Sequence, residues 1–389
     1  MIISILHYHL RPGGVTTVIR NAARALAGRH EVRVLADFGY GECPARGKAA
    51  FSKEARSLLG ALPRRGLLHT HNIGLGKNPR LAMAVRILAD RGDVWILNQV
   101  HDFPEEGRPS QLGALQNCTG RHDDDFWRRF CYYDRPGVMW ATLTSGDAVK
   151  LASRGVPRDR IHVLPNPVDD ELFGRPAPDL APVREKLGAY ARDHGYRFDP
   201  AGKILLSPMK VMIRKNTAEA VDLVRRLPGY QLIVSLDASS AADRAYSEEI
   251  KLRIRRERLP VVIGFGATLA DPLPLFHLAD AILTTSRQEG FGYAFLEAWL
   301  CGKIVVGRDI PEVTKDFRAE GVRLEHLYTE PDTAAVATIR RLVERPPVRL
   351  ISHNRQKIRE NYSLAAYARR YEQLIRRFEG QRRSLAVRR

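Results

Sequence analysis

The sequence predicts an α/β protein made of two doubly wound parallel sheets in tandem, and three features point there. Short apolar runs alternate with segments of helical spacing along almost the whole chain. The stretch 280–313, DAILTTSRQEGFGYAFLEAWLCGKIVVGRDIPEV, shows the repeating unit most clearly. It reads as a buried strand at 280–285, a glycine-bearing loop at 286–292, a helix at 293–300 stopped by Gly302, and a second buried strand at 303–307. Third, composition shifts at residues 173–201, where GRPAPDLAP and RFDPAG surround one short helix, so the alternation falls into two blocks. We expect an N-terminal domain at 1–172, a connector at 173–202 and a C-terminal domain at 203–362. A C-terminal helix and basic tail at 363–389 complete the chain, the helix a candidate to pack back on the N-terminal domain.

The elements follow in order. Residues 2–6 are strand one, the Pro12, Gly13, Gly14 turn follows, and Val15, Ile19, Ala22, Ala23 and Leu26 mark one helical face. Strands are expected at 30–36, 66–70, 94–100, 138–145 and 161–169, with helices at 81–90 and 146–154. Residues 41–65 read as loop with a short helix, and 103–135 as loops and small helices. In the second block strands are expected at 203–209, 231–235 and 261–265, and helices at 217–226, 241–258 and 273–278, before the stretch already described. Two helices, 349–360 and 364–378, finish the chain. Ligands of doubly wound sheets bind outside the carboxyl ends of the strands, which places them in a central cleft between two facing domains.

Composition excludes several classes. At 44% hydrophobic and 27% charged residues the chain is an ordinary globular one, long enough for two cores. Cys43, Cys118, Cys131 and Cys301 form no CxxC pair, so neither a disulfide framework nor a zinc site is expected. No apolar run approaches the roughly 18 residues of a membrane span, and with strand one opening the sequence no leader is expected. A cytoplasmic protein is the expectation. The net charge is +18, and residues 346–389 carry twelve Lys/Arg against three Glu, half of that excess. Such a basic end suits peripheral contact with an anionic membrane at its inner face, or merely a solvated helix face. It has no interleaved aromatics for base stacking, so nucleic acid is not expected as a partner.

The chemistry-bearing residues sit where strands end. Gly13 and Gly14 follow strand one, where residues without Cβ let a phosphate approach the backbone. The pattern is not the G-x-G-x-x-G of dinucleotide binding. Lys210 and Lys215 lie between a strand end and a helix start, within reach of a diphosphate whose charge grows in a transition state. His101 and Asp102 end a buried strand; a histidine there can face an electron-poor sugar, orient an acceptor or cap the loop. His69 and His71 end its neighbour. The run His122, Asp123, Asp124, Asp125 resembles a metal site but reads as a solvated loop. Ser286, Gly290 and Gly292 shape the loop of the 280–313 stretch. Glu289 in it can accept hydrogen bonds from sugar hydroxyls, and Glu297, one helical turn in, from a ribose. Cationic and backbone donors beside two carboxylates describe a sugar-nucleotide site.

At these residues the chain resembles the retaining glycosyltransferases of the family-4 type, the glycosyl transferases group 1, which have the GT-B fold. Their E-x₇-E signature stands as EGFGYAFLE between Glu289 and Glu297, followed by the A-x-x-x-G-K run from Ala298 and by Pro311, Glu312, Val313. RPGGVTTVI, HDF, IHVLPNPVD and SPMKVMIRKN resemble the family's other motifs, with Lys210 where arginine is usual. The resemblance implies that Glu289 binds the donor sugar and Glu297 the ribose. It further implies that Lys210 and Lys215 hold the diphosphate, helped by the backbone of Gly14, Phe291, Gly292 and Tyr293, and that His101 stands beside the reacting sugar.

The sequence therefore predicts a hexosyltransferase using a nucleotide diphosphate sugar, an unidentified acceptor and no cofactor or metal. Catalytic candidates are His101, Glu289, Lys210 and Lys215. Donor-binding candidates add Gly14, Gly290, Phe291, Gly292, Tyr293 and Glu297, and acceptor-binding candidates are Arg11 and Asp102. The alternatives are another sugar-nucleotide enzyme of this fold, an epimerase or phosphorylase, and a basic membrane- or nucleic-acid-binding protein that kept the fold.

Overall fold

The computed structural model describes the chain except residues 12, 42–46, 107–108, 121–125, 127–129 and 388–389. Pro12, Cys43, the run His122, Asp123, Asp124, Asp125 and the last two arginines thus lie outside the described residues. The chain forms two compact units. One comprises residues 1–167 with 364–389, the other residues 168–363.

The first unit is a six-stranded parallel sheet of β1 (Ile2–Leu6), β2 (Glu31–Leu35), β3 (Leu67–His71), β4 (Trp95–Val100), β5 (Val138–Thr142) and β6 (Ile161–Val163), in the order β2-β1-β3-β4-β5-β6. Side chains alternate between its faces, as a two-residue repeat requires. Ile3, Ile5, Leu67 and Leu97 join one core with Ile19, Ala22 and Leu26 of helix Gly14–Ala27. Leu6, Leu68 and Ile96 join the other, with Leu81, Val85 and Leu88 of helix Pro79–Arg91. The final helix, Leu364–Val387, belongs to this unit and places Tyr367, Tyr371, Leu374, Ile375 and Phe378 in the first core. These five apolar side chains are therefore consumed by packing. No helix among the described residues is long and apolar enough to cross a membrane.

The second unit is a five-stranded parallel sheet of β7 (Lys203–Lys210), β8 (Tyr230–Leu236), β9 (Val261–Ile263), β10 (Ala281–Thr284) and β11 (Ile304–Gly307), ordered β11-β10-β7-β8-β9. Helix Ala294–Leu300 crosses over between β10 and β11 and sinks Phe295, Leu296, Ala298, Trp299 and Leu300 into the core. Trp299 is wholly buried, and an aromatic ring of that size removes roughly 150–250 Å² from water. β10 and β11 approach so closely that a Cβ on Gly307, at φ +123°, would fall 1.9 Å from the Thr284 carbonyl oxygen. Only glycine fits there.

Some local expectations change. The strand expected at 161–169 stops at Val163, because Pro165 and Pro167 bring no N–H to a ladder. Residues 103–135 hold an eleven-residue helix, Pro109–Thr119. Helix Ala181–Asp193, in the segment expected as connector, lies within the second unit. Helices Pro311–Ala319 and Thr333–Glu344 have no counterpart in the sequence reading. Cys118 is disulfide-bonded, which corrects the expectation of no disulfide; the spacing rule looks for neighbouring cysteines and does not see bonds between distant ones. Cys131 and Cys301 are free and buried.

Candidate functional site

Strand order locates the crevice in each unit. In the second, β7, β8 and β9 run outward on one side and β10 and β11 on the other, so the switch point lies between the carboxyl ends of β7 and β10. The loop after β7 carries Lys215 and the loop after β10 carries Glu289. Residues 74 positions apart in sequence thereby form an ion pair, Lys215 Nζ to Glu289 Oε2, with side chains only 12% and 10% exposed. The Ser286 hydroxyl donates to Glu289 Oε1 at 2.7 Å, and Arg214 Nη1 stands 3.8 Å from Oε2. Burial pulls the Lys215 ammonium below the ordinary lysine range, Glu289 pulls it back up, and Arg214 lowers it again.

The two loops are also laced by backbone. Arg287 N–H donates to Arg214 O at 2.9 Å, and the Thr285 hydroxyl reaches the carbonyls of Lys215 and Asn216, each at 3.1 Å. Asn216 sits in the left-handed region at φ 53° and donates through Nδ2 to Glu219 Oε2 at 2.7 Å. Glu219 in turn pairs with Arg308 at 2.7 Å and accepts from the Tyr328 hydroxyl at 2.8 Å. This buried network anchors the turn that aims Lys215. Lys210, half-buried at the end of β7, donates to Ser239 Oγ at 3.2 Å and is not brought onto Glu289.

The glycine loop leads into helix Ala294–Leu300. Gly292 has φ +85°, and a Cβ there would press to 2.9 Å from the Phe295 ring and 3.2 Å from Val313. Phe291 is 5% exposed and anchors the loop through ring contacts with Tyr293, Phe317 and Tyr362. The N–H groups of Gly290, Phe291 and Gly292 donate to no backbone carbonyl among the described residues, so they are available to an anion. Glu297 is half-buried, and no cation pairs with it among the described residues. Burial raises its carboxyl to about 7.

That shift gives a pH dependence. The carboxyl titrates near 4.5 when unfolded and near 7 when folded, so the folded state binds its proton more tightly. Stability is unaffected by this group below pH 4.5 and is lost progressively as pH rises from 4.5 through 7. We expect Glu297→Gln to melt higher than wild type at pH 8.5 by several degrees, with the gap closed at pH 4.5. An equal gap at both values would refute the assignment.

The first unit has its switch point between β1 and β3. His101, at the end of the adjacent β4, is 8% exposed and bonds through Nε2 to His71 Nδ1 at 2.8 Å. Asn72, in the left-handed region at φ 55°, organises both strand ends: its Oδ1 accepts from the N–H of His101 at 2.7 Å and of Asp102 at 3.2 Å, while its Nδ2 donates to Asp102 Oδ2 at 3.0 Å. The Tyr8 hydroxyl donates to Asn72 O at 2.6 Å. Gly14 is exposed and opens its helix with nothing within 4 Å of where a Cβ would stand. Arg11 is exposed; its N–H donates to His9 Nδ1 at 3.2 Å, and its carbonyl accepts from Thr16. His101, Asp102, Arg11 and Gly14 thus belong to the first unit, and the lysines, the glutamates and the glycine loop to the second. Sequence reasoning singled out neither Asn72 nor the Glu219 network. An asparagine directly after a buried strand is the signal that could have found Asn72.

Two doubly wound parallel sheets, each with one switch point at its strand ends, make up the fold of the GT-B glycosyltransferases. Residues 198–363, which lie within the second unit, match the family "Glycosyl transferases group 1". The chain is 26% identical over 356 residues to mannosylglucosyl-3-phosphoglycerate synthase of Petrotoga mobilis (strain DSM 10674 / SJ95), covering 81% of this chain and 66% of that protein. It therefore spans about two thirds of that relative's length. Among solved structures it is similar to Anabaena HepE in complex with UDP-glucose, with a TM-score of 0.66 at 16% identity over 96% of this chain and 99% of that one. A glycosyltransferase from Rickettsia africae ESF-5 gives 0.69 at 13% identity over 97% and 98% of the two chains. Sucrose-phosphate synthase from Thermosynechococcus elongatus gives 0.63 at 15% over 97% and 99%.

Proposed function

We propose that the protein transfers a hexosyl group from a nucleoside diphosphate sugar to a hydroxyl acceptor with retention at the anomeric carbon. The Lys215–Glu289 pair at the switch point, inside the matched family domain, carries this reading. Lys215 is assigned to the diphosphate, Glu289 to the sugar hydroxyls and Glu297 to the ribose hydroxyls, which would supply the polar partners its carboxylate lacks among the described residues. Lys210 and the free N–H groups of residues 290–292 add donors for the leaving group. Gly14 is assigned to the diphosphate and Arg11 and Asp102 to the acceptor. HepE, solved in complex with UDP-glucose, and the Petrotoga synthase, named for a mannosylglucosyl product, agree with a hexosyl donor.

In the proposed step the C1–O bond to the diphosphate breaks and the acceptor oxygen bonds C1 on the same face. The acceptor's proton passes to a leaving-group oxygen. Lys210 and Lys215 meet the charge that develops there, so turnover is expected to be metal-independent.

A thermal-shift panel of nucleoside diphosphate sugars, run in EDTA, tests the donor reading. A ligand at a hundredfold excess over its Kd stabilises by about 2.7 kcal/mol, and one member of the panel should do so. If only magnesium restores protection, or no sugar nucleotide protects at all, the reading falls.

A further inference from the structure

The buried histidines at the ends of β1, β3 and β4 are joined by hydrogen bonds that leave little choice of proton position. A carbonyl oxygen only accepts, so His7 Nδ1 carries a proton and donates it to His71 O at 3.0 Å. Gln99 Nε2 donates to Leu164 O at 3.1 Å, which turns Gln99 Oε1 toward His69 Nε2 at 3.0 Å. His69 therefore holds its proton on Nε2, and its Nδ1 accepts from the Tyr371 hydroxyl at 3.2 Å. Its ring lies 4.4 Å from that of His71, but no hydrogen bond joins them.

His71 has one ring partner among the described residues, His101, and its other nitrogen, Nε2, is buried without any. Burial keeps His7 and His101 down to about 4 and His69 to about 3, and holds His71 well below the ordinary histidine range, so all four are neutral near pH 7. Two neutral imidazoles share one proton across the 2.8 Å contact. If His101 Nε2 held it, His71 would carry its own proton on Nε2, a sealed N–H with no acceptor. If His71 Nδ1 holds it, the orphan is only a lone pair. Buried unpaired N–H groups are the rarer defect, so the second arrangement wins.

We propose that His71 is a positioning residue that holds His101 as its Nδ1–H tautomer. His101 then presents an N–H donor, Nδ1, which has no partner among the described residues. On the proposed function, on which this consequence rests, His101 addresses an oxygen of the sugar or acceptor as a donor. Its Nδ1 has no lone pair with which to take the acceptor's proton, consistent with that proton going to the diphosphate.

Ring-nitrogen spectra of the full chain labelled with ¹⁵N-histidine, at pH 7 without ligand, test the tautomer; loss of a signal set in His101→Ala assigns it. We expect a protonated Nδ1 and a bare Nε2 for His101, and a shift toward Nε2–H, the usual form of neutral histidine, in His71→Leu. A protonated Nε2 in the wild type overturns the proposal, as does an unchanged pattern in His71→Leu. If that variant does not fold, the wild-type spectrum still decides. Undiminished turnover by His101→Ala would remove His101 from the reaction while leaving the tautomer intact, so the two ideas fail separately.

Discussion

Glu289→Ala is expected to lower turnover about 10²–10³-fold, the loss typical of removing one preorganised polar contact to a reacting group. The carboxylate is held from both sides, by the Ser286 hydroxyl on Oε1 and Lys215 on Oε2, so its position is set before substrate arrives. A second effect accompanies the first. Removing Glu289 leaves the Lys215 ammonium, 12% exposed, with Arg214 nearby and no other counter-charge on it among the described residues. Breaking a buried pair by deleting one partner costs about 3–5 kcal/mol, partly relieved here as the ammonium sheds its proton. Activity should therefore be compared well below the variant's melting midpoint. Turnover at the wild-type rate there would overturn the assignment of this carboxylate.

Lys215→Met is expected to lower kcat by a similar factor, about 10²–10³, but with a different signature. Methionine keeps the length of the stem, so the packing of the loop changes little. What disappears is the cation that faces the leaving diphosphate, and with it the nearest counter-charge of Glu289. Because the two side chains act as one unit, Lys215→Met combined with Glu289→Ala should lose little more than the worse single variant. Steady-state rates of the four proteins check this. Fully multiplicative losses would mean that the pair is a structural contact and that the two residues serve the reaction independently or not at all.

Much of the fold is legible locally. Ile2–Leu6, Lys203–Lys210 and the β10–helix–β11 unit are short apolar runs beside helix-period segments, and propensity and burial agree on them. Where they conflict, the reading slips: the apolar residues at 161–169 suggest a strand that two prolines cannot extend. Helices Pro311–Ala319 and Thr333–Glu344 escape because their buried positions, such as Val313, Phe317, Val336 and Ile339, only become meaningful against the faces they cover. The disulfide of Cys118 escapes for a related reason, since distance along the chain says nothing of distance in space.

The sequence by itself carried the two-sheet fold and the motifs that match the glycosyl transferases group 1. A strand's carboxyl end, a glycine loop and two glutamates eight residues apart are local features, and local features survive in a string of letters. The tertiary structure alone decided how those residues are engaged. It placed Lys215 on Glu289 across 74 residues, left Glu297 without a counter-ion among the described residues and raised its carboxyl to about 7, and set His71 against His101. Pairing, burial and proton position depend on which strand ends lie side by side, and strand order is a property of the folded sheet.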